Sequence, residues 1–372
     1  MSKQTDSIFV PKVAIEGIQT VTPMTITDPR QTRQVVSAGE VVGPGIFQRC
    51  LNMVQYYKKE KEEDSGWLVA GWIKETLGRA LLEQPMICGR LRKEESDGGE
   101  LEIVSNDSGI RMIEARIQMN LSEFLELKQR EEAEAQLVFW KDIDEQNPQF
   151  SPLFYVQVTN FQCGGYSIGI SCSILLADLL LRTEFLKTWA NIHNNIINNN
   201  NGRKLPLFYL PGLKNITASS PNIIGSNSSK NSGKTLIFKI NAETDQSLGG
   251  EKWYREVALT CLDEAEKNLG SEMGADFSLF VNESLEAIKV ESCSNHGVLK
   301  PQLKLNKESL ITAKWDDLVG ANEVTFRQGN KPAYVSYWFR SILGGIVFVI
   351  PSTEEKTCKV MNIIVTIPNV KA

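Results

Sequence analysis

The chain has 372 residues, 42% of them hydrophobic and 23% charged, with a formal net charge of −5. That balance belongs to a folded globular protein long enough for two domains and for a core that needs neither disulfides nor a metal. It argues against the basic, phosphate-tracking surface of a nucleic-acid binder and against a polybasic membrane anchor.

The N-terminal stretch has no apolar run behind a basic start, so no signal peptide is expected. No run approaches the ~18 apolar residues of a transmembrane helix. The seven cysteines are scattered and form no C-x-x-C pair, which predicts reduced thiols in the cytoplasm and no metal site.

In chain order, Ile8 to Val21 predicts a strand that begins after Pro11, and the proline-bearing stretch from Thr22 to Pro29 predicts a loop. Trp67 to Leu82 carries apolar residues at helical spacing and is closed by Pro85. Leu101 to Val104 reads as a short strand, followed by turn residues Asn106 to Gly109. Leu121 to Glu134 reads as one charged helix. Leu153 to Phe161 and Tyr166 to Ser173 read as strands joined by a Gly164-Gly165 turn, and Leu175 to Ile192 as one helix.

Composition then shifts. Asn194 to Asn201 is all Asn and Ile, and Thr217 to Lys234 is rich in Ser, Asn and Gly. So polar a stretch buries too little apolar surface to offset its ordering entropy. It predicts a crossover linker over 194–234, between a first lobe at 1–193 and a second at 235–372. Beyond it, Thr235 to Ile240, Phe277 to Val281, Leu310 to Trp315, Tyr334 to Phe339, Ile346 to Ile350 and Ile363 to Ile367 read as strands, and Val257 to Leu269 as a helix. The architecture that follows is α/β, each lobe a mixed sheet with helices.

Several segments, in order, resemble the plant BAHD acyltransferases. They are Gly89-Arg90-Leu91-Arg92, Leu101-Glu102-Ile103, Asn106-Asp107-x-Gly109, Ile113-Glu114-Ala115, Pro152-Leu153, Val156 to Thr159, Phe161-x-Cys163-Gly164-Gly165, Gly169 and Trp189-Ala190. The resemblance implies two chloramphenicol-acetyltransferase-like lobes with a channel between them. It also implies acyl transfer from a thioester to an alcohol or amine. In that family the histidine of an H-x-x-x-D motif takes the acceptor's proton, a task imidazole suits because its pKa lies near neutrality.

Here the corresponding stretch is Ile174-Leu175-Leu176-Ala177-Asp178. Isoleucine has no proton acceptor and cannot act as the base. The chain has two histidines, His193 and His296, and neither is followed by aspartate at the fourth position. Both are expected at the surface or in a turn. The D-F-G-W-G motif of the family is reduced to Thr325-Phe326-Arg327-Gln328-Gly329. By the resemblance the chain is short after the crossover, so the arginine that normally pairs with the aspartate is expected to be missing, leaving Asp178 to another partner or to solvent.

No catalytic residue is therefore expected at the degenerate motif Ile174/Asp178. Cys172, Ser173, Ile174, Asp178, Arg327 and Gln328 are the candidates to line a substrate channel. Cys172 and Ser173 lack a nearby base and read as small strand residues beside a core.

Three further runs, Cys163 to Ser173, Ile288 to Cys293 and Gly329 to Trp338, resemble eceriferum 26-like members of the eceriferum/glossy branch. That likeness implies a pseudo-acyltransferase that assists a ketoacyl-CoA synthase in extending very-long-chain acyl-CoAs for cuticular wax. Such a protein would have no cofactor, would take acyl-CoA as its ligand, and would be recruited from the cytoplasm to the endoplasmic reticulum by its partner. The alternative is a BAHD-fold enzyme of changed chemistry, either a lyase or a residual acyltransferase.

Overall fold

Apolar side chains at helical and at alternating spacings divide the chain into the elements that place the motif. The computed structural model describes residues 11–37, 44–60, 66–93, 101–182, 184–199, 205–207, 233–243, 251–274, 276–282, 284–294, 309–327, 329–340, 344–351 and 358–369. The first half holds β1 (Val13–Val21), β2 (Thr32–Ser37), β3 (Cys50–Tyr57), α1 (Gly66–Glu83), β4 (Arg90–Lys93), β5 (Leu101–Val104) and β6 (Ile110–Ile117). It continues with α2 (Leu121–Leu125), α3 (Arg130–Glu134), β7 (Phe154–Phe161), β8 (Tyr166–Ser173), α4 (Ala177–Arg182) and α5 (Phe185–Asn198). The second half holds β9 (Lys234–Glu243), α6 (Glu251–Leu269), β10 (Asp276–Val281), β11 (Ala287–Ser294), β12 (Leu310–Ala313), α7 (Trp315–Val319), β13 (Tyr334–Arg340), β14 (Gly345–Pro351) and β15 (Cys358–Ile367).

Among the described residues these strands form two mixed sheets, a six-stranded one in the order β1-β6-β7-β8-β3-β13 and a nine-stranded one in the order β12-β9-β15-β14-β10-β11-β2-β5-β4. The fold is thus mixed α/β with two sheets. Neither sheet keeps to one half of the chain. β13 from the second half pairs antiparallel with β3, while β2 from the first half pairs parallel with β11.

Strands β3, β7 and β8 are buried along their whole length. Strands covered on both faces read as apolar runs rather than alternating ones. One core cluster fills the space between the sheets, joining Met53, Ile170 and Ile174 to Phe280, Ile288 and Phe348. A second lies beneath α6, where Trp253, Val257 and Leu262 cover Phe238, Phe277, Val347 and Ile363. Gly169 is the point of closest approach in β8, because a Cβ there would meet the Leu137 carbonyl oxygen at 1.9 Å. Gly164, with φ +84°, forms the β7–β8 turn in the left-handed region that favours glycine.

Several elements differ from their sequence expectation. The span 121–134 is two short helices, not one. Its anchors Phe124 and Ala133 are both buried, yet they stand about two and a half turns apart, on opposite sides of a continuous helix at ~3.6 residues per turn. Only a break lets both face the core. The span 175–192 is likewise divided. α4 is buried nearly all round, whereas α5 lays a single stripe against α1, and one straight amphipathic helix could not do both. α5 also runs on to Asn198, into the stretch expected as linker. Most of the remaining crossover, 200–204 and 208–232, lies outside the described residues. Trp315 begins α7 instead of ending a strand.

Candidate functional site

The stretch from Ile174 to Asp178 occupies a corner where β8 turns into α4. Ser173 caps the turn, its Oγ accepting from the Leu175 backbone N–H at 3.4 Å. The Ile174 N–H donates to the Arg49 carbonyl at 3.1 Å, and the Ile174 side chain is fully buried in the inter-sheet core. A hydrocarbon held there can exclude water but cannot receive a proton.

Cys172, immediately before, is also buried. Burial pushes its thiol well above the ordinary range, and the Asp178 charge adds to that. The thiolate is the nucleophilic form, so Cys172 is inert at neutral pH. The Ser173 hydroxyl is committed to the cap. The geometry of the corner is that of a packed support.

Asp178 is fully buried, and its partner comes from a strand far away in the sequence. Nη1 of Arg33, on β2, donates to both carboxylate oxygens of Asp178 at 2.9 and 3.1 Å, and both side chains are fully buried. The arginine expected to be missing is thus replaced from the first half of the chain. A short clue was present: Arg33 and Val35 are the inward positions of a strand whose Thr32 and Gln34 face out. An arginine on the buried side of so short a strand requires an acidic or carbonyl partner. One turn on, half-buried Arg182 donates through Nη1 to Oδ1 of Asn282 at 3.1 Å, just past β10. Burial lowers the pKa of Arg182, Asp178 raises it, and Arg33 lowers it, which places the three charges in one field.

His193 is not at the surface. It is fully buried on α5, with its Nδ1 at 3.1 Å from Oγ1 of Thr76 on α1. Nε1 of Trp189 donates to the same hydroxyl at 3.2 Å. Burial, then the nearby Arg327 charge, lowers the imidazole pKa to about 3, so the ring is neutral at physiological pH. The stripe Phe185, Trp189, His193 at i, i+4, i+8 marked this burial in the sequence. His296 lies outside the described residues.

The second motif closes over this histidine. The buried ring of Phe326 packs edge-on to Trp189 at 4.8 Å, to His193 at 5.3 Å and to Tyr57 at 6.2 Å between centroids. Three polar contacts fasten its segment to the first half. Tyr57 Oη donates to the Val324 carbonyl at 2.9 Å, Gln55 Nε2 to that of Ala321 at 3.0 Å, and Asn194 Nδ2 to that of Thr325 at 2.6 Å. Arg327 therefore belongs to the His193 neighbourhood, whereas Cys172, Ser173, Ile174 and Asp178 stand together at the β8–α4 corner. Gln328 lies outside the described residues. Among the described residues no group of His, Cys, Asp and Glu could hold a metal ion, and no helix is long and apolar enough to cross a membrane.

Comparison with known proteins gives partial matches. The chain is 32% identical to the Arabidopsis thaliana protein ECERIFERUM 26-like over 118 residues, which is 32% of this chain and 27% of that protein. It is 43% identical to brassinosteroid-related acyltransferase 1, also of Arabidopsis thaliana, over 106 residues, 26% of this chain and 22% of that one. The matches thus span about a quarter of the length of these curated relatives. A crystal structure of vinorine synthase aligns over 95% of both chains with a TM-score of 0.43 and 14% identity. Residues 30–202, the stretch that contains Arg33, Ile174, Asp178 and His193, match the model of the Transferase family.

Proposed function

We propose that this protein is a BAHD-like pseudo-acyltransferase, an accessory for very-long-chain acyl-CoA elongation in cuticular wax formation. The observation that carries the reading is the fully buried Ile174 at the motif position where the family places its base. Two features support it. Asp178 is committed to Arg33 and His193 to Thr76, so neither is poised to take an acceptor's proton. The similarity to ECERIFERUM 26-like directs the choice of role.

In this role the protein binds an acyl-CoA or an elongating enzyme and positions it, without bond-making of its own. Recruitment to the endoplasmic reticulum comes from a ketoacyl-CoA synthase partner. The test is co-expression of the full chain with a ketoacyl-CoA synthase, followed by acyl-chain profiling and affinity co-purification. The expected result is a longer product distribution together with a stable association. An unchanged distribution and no association overturn the accessory role.

The similarity to an acyltransferase at 43% identity favours a second reading, a transferase whose amine acceptor needs no enzymic base. Under it, the substrate meets Arg327 in the His193 neighbourhood rather than the packed corner of Cys172, Ser173, Ile174 and Asp178. Turnover of an acyl-CoA with an amine acceptor, abolished by substitution at Arg327, selects this reading over the first.

A further inference from the structure

The Arg33–Asp178 pair uses the guanidinium in an uneven way. Both carboxylate oxygens are served by the single nitrogen Nη1. The other edge of the same guanidinium, Nε with Nη2, has no hydrogen-bond partner among the described residues although both atoms are buried. That edge presents two parallel N–H donors, the fork with which arginine grips two oxygens of one carboxylate or phosphate.

A second observation points the same way. Asn282 is fully buried, its Oδ1 accepts from Arg182, and its Nδ2 also has no hydrogen-bond partner among the described residues. Arg33 is hydrogen-bonded to Asp178 and Arg182 to Asn282, and Arg182 lies four residues after Asp178 on α4, so the two pairs meet at one helix. Two of these side chains are cationic and one is anionic, which leaves one net positive charge where β2, α4 and the end of β10 meet. Each buried donor without an acceptor is destabilising, and an uncompensated buried charge more so.

We propose that this cluster is a binding site for a small oxyanion, a carboxylate or phosphate group seated on the Nε–Nη2 edge of Arg33. Its two oxygens would take the fork, and its charge would balance Arg33 and Arg182 against Asp178. The site lies behind the motif aspartate and would tie β2 to α4 and β10, so occupancy would stiffen the contact between the two sheets. It does not depend on the accessory role proposed above.

The test is thermal unfolding of the full chain at fixed ionic strength, titrated with sodium formate, sodium acetate or inorganic phosphate against sodium chloride. Binding to the folded state raises the melting temperature saturably; at a hundredfold excess over Kd the unfolding equilibrium falls about a hundredfold. The carboxylate and phosphate arms show which source of oxyanion the site prefers. Arg33→Lys keeps a cation for Asp178 but removes the fork, and should abolish the shift. Should Arg33→Lys fail to fold, crystals of the native chain grown with selenate should show its anomalous signal within hydrogen-bonding distance of Nε and Nη2. Three results overturn the site: no saturable shift with any of the anions, a shift that survives Arg33→Lys, or crystals with water alone on the fork.

Discussion

Asp178 and His193 are both fully buried polar side chains, one on each of the consecutive helices α4 and α5, and they meet burial in opposite ways. Asp178 has an arginine within hydrogen-bonding distance, drawn from a strand in the other sheet. His193 has a hydroxyl for one nitrogen, the Phe326 ring edge-on to it and a cation nearby, and is neutral instead. Desolvation penalises charge in both places; what differs is whether an opposite charge is there to offset it. Asp178 is held in a buried ion pair, and His193 is a neutral core residue.

The largest effect comes from breaking the charged member. Arg33→Met should destabilise the fold by about 3–5 kcal/mol, because it strands a buried carboxylate. Replacing both partners, Arg33→Met with Asp178→Leu, should recover most of that loss, measured by urea unfolding. If the single substitution is neutral, Asp178 has another partner and the contrast with His193 fails. Next, Thr76→Val should lower stability by about 1–3 kcal/mol, since it leaves both Trp189 Nε1 and His193 Nδ1 without the hydroxyl they share.

The smallest effect sharpens the neutral member. The folded pKa of His193, about 3, lies below the ordinary ~6.5 of the unfolded chain, so the unfolded state takes up the proton first. The stabilising contribution of this group is complete above about pH 6.5 and is lost as pH falls toward 3, at about 1.4 kcal/mol per pH unit. Comparing unfolding of the native chain and His193→Gln at pH 7 and pH 5 isolates it. The native chain should lose about 2 kcal/mol more than the variant over that interval. Equal losses would mean that His193 is accessible to protons.

Much of the frame was readable before any coordinates. α1 carries apolar residues at strict helical spacing and ends at Pro85, and β7 and β8 flank a Gly-Gly turn. The unread parts share a physical cause. β3 mixes Asn52 and Gln55 into a wholly buried strand, where their side chains reach distant partners such as the Ser171 hydroxyl and the Ala321 carbonyl. β2 is short and polar on its outer face, and its one buried cation gains meaning only from an aspartate 145 positions away. Local pattern reports periodicity, not pairing across the chain. In the same way the absence of a proton acceptor at Ile174 was legible from the residue itself, whereas the pairing of Asp178 with Arg33 was not.

Acyl transfer by the purified protein, set against Ile174→His, tests most directly the proposal that Ile174 leaves it without a base. A general base ordinarily contributes about 10²–10⁴-fold. With an acyl-CoA donor and alcohol acceptors, the native chain should show no transfer above the uncatalysed rate, and any transfer that emerges should require the histidine. Native turnover that the substitution leaves unchanged or lowers would contradict the account.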